Sequence, residues 1–124
     1  MSEHITRPIV NTRSGGRCER CGQTGTTIHH RRKRSRAGRW SPDNCVALCG
    51  DGARGCHGWT ETHPDEAVRE GWLIPSWGPS PELVPVVVAS LGMQVWLAPD
   101  GGYLLDQPEP PESAAQQQKG VRDE

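Results

Sequence analysis

The sequence has few of the residues from which a large apolar core is built. Only 33% of its 124 residues are hydrophobic, Phe is absent and Tyr occurs once, so five Trp supply most of the aromatic mass. This length is typical of one domain. A core this thin is expected to need a staple, such as a bound metal ion or disulfide bonds.

The sequence also lacks the segments that direct a chain to a membrane or out of the cell. No run is long and apolar enough to span a bilayer, and the opening MSEHITRPIV lacks the charged and then apolar pattern of a secretion signal. We therefore expect a cytoplasmic protein without a membrane partner. In that compartment the five Cys are expected to be thiols or metal ligands rather than disulfides.

Net charge is nearly absent, at −1, but positive charge is concentrated locally. Nine Lys and Arg lie between Arg13 and Arg39, opposed only by Glu19. Six of them form what we call the basic loop: Arg31, Arg32, Lys33, Arg34, Arg36 and Arg39. Such a block predicts a surface that binds a polyanion. Next to a cation site, these side chains would contact phosphates, which gives affinity without sequence readout. A solvated run of charge is the alternative interpretation.

Composition divides the chain into four segments. These are a flexible N-terminal arm (1–13), a central domain (14–74), a C-terminal hairpin appendix (75–106) and a disordered tail (107–124). The arm shows no periodicity, and the central domain holds all five Cys and four of the five His. MQVWL and YLL around APDGG predict the hairpin, and the Pro, Gln and Glu content predicts the disorder.

Within the central domain the local patterns predict strand, loop, strand and helix. The strands are expected at 26–30 and 45–49, on either side of the basic loop. The helix begins near Cys56 and falls into two pieces, because Pro64 suits a first helical position and Gly71 suits a helix end.

The Cys spacing predicts a structural metal site. Cys18-x2-Cys21 and Cys49-x6-Cys56 are two pairs that could supply the four thiolates of a tetrahedral zinc ion. The fifth, Cys45, lies in the apolar segment CVALC and is expected to pack in the core. The alternative is that Cys45 replaces Cys49 as a ligand.

Four motifs in order, CERC, IHHRR, DNCVALC and GCHGWTETHP, resemble the HNH nucleases that carry a structural zinc, of the compact kind found in phages of actinobacteria. The resemblance covers about residues 15–74. It implies an α+β fold with a ββα-metal (His-Me finger) core, stapled here by the four-Cys zinc site.

The resemblance also implies roles for particular residues. His30 would be the general base, His29 and His57 would be ligands of a catalytic divalent cation, and Asn44 would pin the loop that orients the catalytic His. The implied activity is metal-dependent hydrolysis of DNA phosphodiester bonds, by nicking or double-strand cleavage, leaving a 5′-phosphate and a 3′-hydroxyl.

The catalytic ion and its remaining ligand stay open at this stage. Magnesium, manganese and nickel are candidates, and a His at position 29, where many relatives have Asp, favours the softer ions. Glu61 lies four residues after His57 and so shares its helical face, whereas His63 could turn inward at the break before Pro64. Either could be a further ligand.

Two other functions compete with the nuclease. A non-catalytic zinc-ribbon module that binds DNA would explain the Cys pairs and the basic loop but not the ordered His and Asn residues. An adaptor could dock through residues 72–106. The phage association suggests a role in genome packaging beside a terminase in the host cytoplasm, and the oligomeric state is left undetermined.

The tryptophans could pack in the core or stack on bases. Trp59 and Trp72 lie beside helical segments and are expected in the core, whereas Trp40 in the basic loop suits either role.

Overall fold

Two small antiparallel sheets and three helices make up residues 1–109, the part of the chain that the computed structural model describes. The elements are α1 (Glu3–Ser14), β1 (Thr26–His30), β2 (Cys45–Cys49), α2 (Gly55–Thr62), α3 (Pro64–Glu70), β3 (Val86–Val88), β4 (Met93–Leu97) and β5 (Tyr103–Leu104). The predicted order of strand, loop, strand and divided helix is present. No helix within these residues has the length and apolar character needed to cross a membrane.

The β1–β2 hairpin positions most of the candidate site residues. Its register pairs His29 with Val46 and His30 with Cys45. Because successive strand side chains point to opposite faces, the hairpin has two distinct surfaces. We call them the α2 face (Thr27, His29, Val46 and Leu48) and the α1 face (Ile28, His30, Cys45 and Ala47).

The α1 face is covered by a helix where the sequence predicts a flexible arm. In α1, Thr6 and Val10 lie one turn apart and are fully buried, Val10 against Cys45 and Ala47. Pro8 lies inside the helix and removes one of its hydrogen bonds. Burial of one face therefore stabilises a helix that local sequence disfavours, and the prediction of an arm at 1–13 is wrong.

The C-terminal region supplies four of the ten buried residues of the main core and is not an appendix. The predicted hairpin forms between β4 and β5, with Leu97 opposite Tyr103, and β3 adds a third strand. The main core comprises Cys18, Val46, Leu48, Cys49, Cys56, Trp72, Val86, Val88, Val95 and Leu97. Residues 75–106 therefore complete the α2 side of the hairpin. The predicted disordered tail lies outside the described residues from position 110 onward.

A buried ion pair joins these parts. Arg13 of α1 donates from Nε to Glu19 Oε1 at 2.8 Å, and both side chains are almost fully buried. Glu19 also accepts hydrogen bonds from the Tyr103 hydroxyl at 2.6 Å and from the Ala47 amide at 2.8 Å. One carboxylate thus connects α1, β2 and the second sheet.

Candidate active site and metal centre

The four paired cysteines meet in space. The sulfur atoms of Cys18, Cys21, Cys49 and Cys56 all lie within 4.8 Å of one another. The amides of Cys21 and Cys56 point at Cys18 Sγ (3.4 Å) and Cys49 Sγ (3.3 Å), so each pair forms a turn with a donor aimed at its first sulfur. These four ligands could hold one structural metal ion.

The wide spacing of the second pair is closed by a tight turn. Gly50 and Gly55 have φ of 82° and 65°, and a Cβ on Gly50 would meet the Arg54 carbonyl oxygen at 2.2 Å. Asp51 bridges to Arg54 across the turn. Only glycine at both positions allows the six intervening residues to return Cys56 to Cys49.

Cys45 lies apart from this cluster. Its side chain is fully buried on the α1 face beside Val10 and Ala47, and burial raises the pKa of its thiol to about 11. Cys45 is therefore a neutral packing residue, as the sequence predicts, and the cluster contains Cys49 in its place.

His29 and His57 face each other on the α2 side of the hairpin. Their ring centroids are 5.0 Å apart with an interplanar angle of 64°. His29 is 3% exposed, and burial lowers its pKa to about 4. His57 lies in the first turn of α2, where burial also lowers its pKa. Both rings are therefore neutral at pH 7, the form that binds metal ions.

Each of these rings has one nitrogen in a hydrogen bond. His29 Nε2 lies 2.7 Å from the Trp72 carbonyl oxygen, and His57 Nδ1 lies 2.7 Å from the Thr27 hydroxyl. Within residues 1–109, neither His29 Nδ1 nor His57 Nε2 forms a hydrogen bond, which leaves one nitrogen on each ring for a ligand. Thr27 has no sequence signal beyond its strand propensity, so sequence reasoning missed it.

Of the two candidates for a further ligand, Glu61 is the one whose charge acts on both rings. Its charge raises the pKa of both His29 and His57 against the effect of burial, and its carboxylate is paired with Lys33 Nζ at 3.0 Å. His63 stacks on Trp59 at a centroid distance of 6.2 Å. Among the described residues, the cysteine cluster is the one group of three or more potential ligand atoms within 4.8 Å of one another.

His30 lies on the opposite face of the hairpin from His29. Its ring packs edge-on against Trp40 at 4.3 Å, and burial together with the nearby Arg34 charge lowers its pKa. The His30 ring is thus neutral at pH 7 and can accept a proton. Its Nε2 is buried without a hydrogen-bond partner among residues 1–109. An unmet polar atom of this kind is typical of sites that a ligand or water completes.

Asn44 closes the basic loop. Its Oδ1 accepts from the Arg32 amide at 2.8 Å, and its Nδ2 donates to the Arg32 and Arg39 carbonyls, both at 3.0 Å. The side chain is 1% exposed. Asn44 thereby fixes both ends of the loop that begins directly after His30.

Residues 18–58 match the family model of the HNH endonucleases. This segment of the chain is similar to the HNH endonucleases. The match spans 41 of the 124 residues and takes in both Cys pairs, the β1–β2 hairpin, Asn44 and His57. It implies a nuclease-type function with DNA as substrate. No curated protein and no solved structure matches the chain.

Arg31, within the segment that matches the HNH model, is a structural residue and not a phosphate contact. It is fully buried, and its guanidinium donates to the carbonyls of Gly71 (3.1 Å), Val84 (2.8 Å), Pro81 (2.8 Å) and Asp43. Burial lowers its pKa to about 9. The prediction that Arg31 contacts DNA is wrong, because the segments after α3 fold over it and enclose its charge.

The rest of the basic loop divides into clamped and exposed side chains. Arg32 is half-buried and donates to the carbonyls of Gly78 (2.8 Å) and Pro79 (2.6 Å). The exposed members are Lys33, Arg34, Arg36 and Arg39. Arg7 of α1 joins them by lying over the Trp40 ring at 5.6 Å. Sequence inspection missed Arg7, because the arm that carries it was not expected to be helical.

The tryptophans occupy three environments. Trp72 is 1% exposed, and Trp59 packs on the main core beneath the Arg20 guanidinium at 3.7 Å, as expected. Trp40 packs on the α1-face cluster and on His30. Trp77 is 84% exposed.

Proposed function

We propose that this protein is a metal-dependent HNH endonuclease that hydrolyses DNA phosphodiester bonds by nicking or double-strand cleavage. The observation that carries the proposal is the arrangement around β1. His29 and His57 pair on one face, and His30 follows directly on the other, beside a loop fixed by Asn44. Neither a zinc-ribbon module nor an adaptor requires this combination.

The donor sets fit two different ions. Four thiolates suit a structural zinc ion, for which Cys18, Cys21, Cys49 and Cys56 are the proposed ligands. His29 and His57 would hold the catalytic ion, with Glu61 as the favoured candidate for a further ligand. Two imidazoles that share one ion through bonds of about 2.1 Å have centroids about 5 Å apart, and here they are 5.0 Å apart.

Two neutral imidazoles in the ligand set favour manganese or nickel over magnesium. When bound, the cation would neutralise charge on the phosphate and on the departing 3′ oxygen.

The chain's own residues would perform the remaining steps. His30 takes a proton from the attacking water, since its ring is neutral at pH 7. Asn44 keeps the loop after His30 in place. Lys33, Arg34, Arg36 and Arg39 bind the phosphates that flank the cleaved bond, with low sequence specificity. The products would be a 5′-phosphate and a 3′-hydroxyl.

Relaxation of supercoiled plasmid tests the proposal. The wild type, His30→Ala and His4→Ala would each be incubated with magnesium, manganese, nickel or EDTA, and the zinc content of each would be measured. We expect metal-dependent nicking that falls about 10²- to 10⁴-fold in His30→Ala, with zinc retained. His4→Ala removes an exposed His from α1 and should behave as the wild type.

The opposite result is equally clear. Zinc-loaded protein that binds DNA but does not nick it with any of the three ions would favour the zinc-ribbon or adaptor function.

The biological setting is part of the same proposal. The motif resemblance supports a phage origin, action in the bacterial host cytoplasm and a role in genome packaging with a terminase. A terminase encoded by the same genome should bind the protein and raise its nicking rate. An unchanged rate and no complex would remove the packaging role.

A further inference from the structure

We propose that Thr27 is a positioning residue that fixes which ring nitrogen of His57 receives the catalytic ion. It acts together with the Trp72 carbonyl, which does the same for His29. This inference rests on the proposed function, because it concerns the divalent cation of that site. It assigns the lone pair of Nε2 on His57 and the lone pair of Nδ1 on His29 to the ion.

The hydrogen bonds of Thr27 decide the state of His57. Thr27 Oγ1 lies 2.8 Å from the Gly50 carbonyl oxygen and 2.7 Å from His57 Nδ1. A carbonyl oxygen can only accept, so the single hydroxyl proton is donated to Gly50. The hydroxyl must then accept from His57, whose Nδ1 carries the proton. A neutral imidazole has one N–H, and the lone pair of His57 is therefore on Nε2.

The same reasoning gives the opposite tautomer for His29. Its Nε2 lies 2.7 Å from the Trp72 carbonyl oxygen, which can only accept. The proton is therefore on Nε2, and the lone pair is on Nδ1. The bond is buried, with His29 at 3% exposure and Trp72 at 1%, so water does not compete for it.

Thr27 also links the two proposed metal sites. Gly50 follows Cys49 directly, and its φ of 82° sets the direction of the carbonyl that receives the Thr27 proton. The four-Cys cluster fixes this turn, the turn orients Thr27, and Thr27 orients His57. Hydrogen-bonded partners of metal ligands are known to set both the tautomer and the basicity of the ligand.

Three substitutions separate this role from a structural one. Thr27→Val keeps the shape and removes the hydroxyl, Thr27→Ser restores it, and Thr26→Val makes the same change at the neighbouring strand position. Thr27 is exposed, so the valine variant should keep its fold and its zinc. Long-range ¹H–¹⁵N correlation spectra of the zinc-loaded protein, without added divalent cation, report which nitrogen carries the proton. Calorimetry reports manganese and nickel affinity.

In the wild type, Thr27→Ser and Thr26→Val, we expect His57 protonated on Nδ1 and His29 on Nε2. In Thr27→Val we expect His57 to show a mixture of tautomers and about 10- to 100-fold weaker binding of the added ion. A wild-type His57 protonated on Nε2, or wild-type affinity in Thr27→Val, would overturn the inference. Both readouts are made without DNA, so a protein with these tautomers that never nicks DNA would refute only the proposed function.

An independent observation carries a second inference, that Trp77 stacks on an unpaired base of the DNA. At 84% exposure, Trp77 is the most exposed large hydrophobic residue within residues 1–109. Its loop is held in place, since Arg32 donates to the carbonyls of Gly78 and Pro79 and the Gly78 amide donates to the Pro75 carbonyl at 2.9 Å. The loop therefore holds the flat face of an aromatic ring in water, where it is available for stacking.

A cleft with arginine side chains lies beside the Trp77 loop, although Trp77 itself does not line it. A cleft of about 660 Å³ is lined by Ser76 and Ser80 from the Trp77 loop and by Arg36 and Arg39 from the basic loop. Basic grooves with exposed aromatic rings bind single-stranded nucleic acid, because every base has a face on which to stack. Asp43 and Glu82 also line the cleft and are engaged by Ser41 and Ser80 hydroxyls.

Binding of fluorescently labelled single-stranded and duplex DNA, measured in EDTA so that cleavage plays no part, tests this inference. Trp77→Ala should weaken single-strand binding about 5- to 100-fold and duplex binding less, and Trp77→Phe should restore most of it. Leu105→Ala, which removes another exposed side chain, should change neither. Equal single-strand affinity in Trp77→Ala and wild type would overturn the inference and leave a protein partner as the reason for the exposure.

Discussion

The two faces of the β1–β2 hairpin present adjacent histidines to very different surroundings. On the α2 face, His29 is buried against Trp72 and His57, next to the main core and the four-Cys cluster. On the α1 face, His30 packs on Trp40, above a small cluster of Val10, Cys45 and Ala47. Strand alternation thus places the proposed metal ligand His29 and the proposed general base His30 on opposite faces.

The difference shows that the two faces of one candidate site are stabilised by different amounts of surrounding structure. The α2 face shares its core with the second sheet and with a cluster that could hold a metal ion. The α1 face depends on one helix and on a loop pinned by Asn44. Substitutions should therefore affect the surroundings of His29 and of His30 separately, unless they remove the four-Cys metal site on which both faces depend.

The largest expected effect comes from removing the four-Cys metal site. Cys49→Ser should abolish metal binding by the cluster and unfold both faces, since structural zinc contributes on the order of 10 kcal/mol to small zinc domains. Metal analysis and thermal melts by circular dichroism would measure this. Cys45→Ala, the matched change on the α1 face, should keep the metal and cost about 1–2 kcal/mol. A folded, metal-loaded Cys49→Ser protein would contradict the proposed ligand set.

The next largest effect is expected at Arg31, which directly follows β1. Arg31→Met should destabilise the protein by about 3–4 kcal/mol, because it leaves the enclosed carbonyls of Gly71, Val84 and Pro81 without a donor. Denaturant unfolding would measure the loss. Arg36→Met, an exposed position in the same loop, should leave stability unchanged. Equal stability of the two variants would show that Arg31 is not a structural residue.

A smaller effect should distinguish the two faces directly. Val10→Ala removes two buried methyl groups beneath the α1 face and should cost about 2 kcal/mol. We expect plasmid nicking to fall several-fold while manganese affinity stays as in the wild type, since His29 and His57 lie on the other face. Val87→Ala, at a valine that is 56% exposed, is the control. Equal losses of nicking and manganese affinity would mean that the faces are not independent.

The smallest effects are expected at the exposed ends of the basic loop. Lys33 pairs with Glu61 on the α2 side, whereas Arg34 lies over Trp40 on the α1 side, 5.9 Å from its centroid. Replacing either by Ala should lower the slope of log affinity for DNA against log salt by about one unit and change stability little. Only Lys33→Ala should alter divalent-ion affinity, because it releases the Glu61 carboxylate. A change in ion affinity in Arg34→Ala would contradict the division.

Short-range patterns were sufficient for much of the fold. The strand, loop, strand and helix order around the basic loop follows from turn and helix-end residues that lie within a few positions of each other. So does the β4–β5 hairpin, which depends on the Gly-containing turn between its strands. The spacing of Cys18, Cys21, Cys49 and Cys56 was likewise enough to group them, because two turns can each deliver two sulfurs to one point.

Long-range contacts decided the rest. Local sequence disfavours α1 through Pro8, and burial of Val10 on β2 stabilises it nonetheless. In the sequence, Arg31 cannot be distinguished from its basic neighbours. In the fold, segments 40 to 53 residues away enclose its side chain. The proposed positioning role of Thr27 depends on hydrogen bonds to His57, 30 residues later, and to Gly50. The sequence by itself determined which chemical groups the protein has and their local spacing. Tertiary structure decided which of them are buried, paired or free, because burial and hydrogen bonding depend on partners that are distant in the chain.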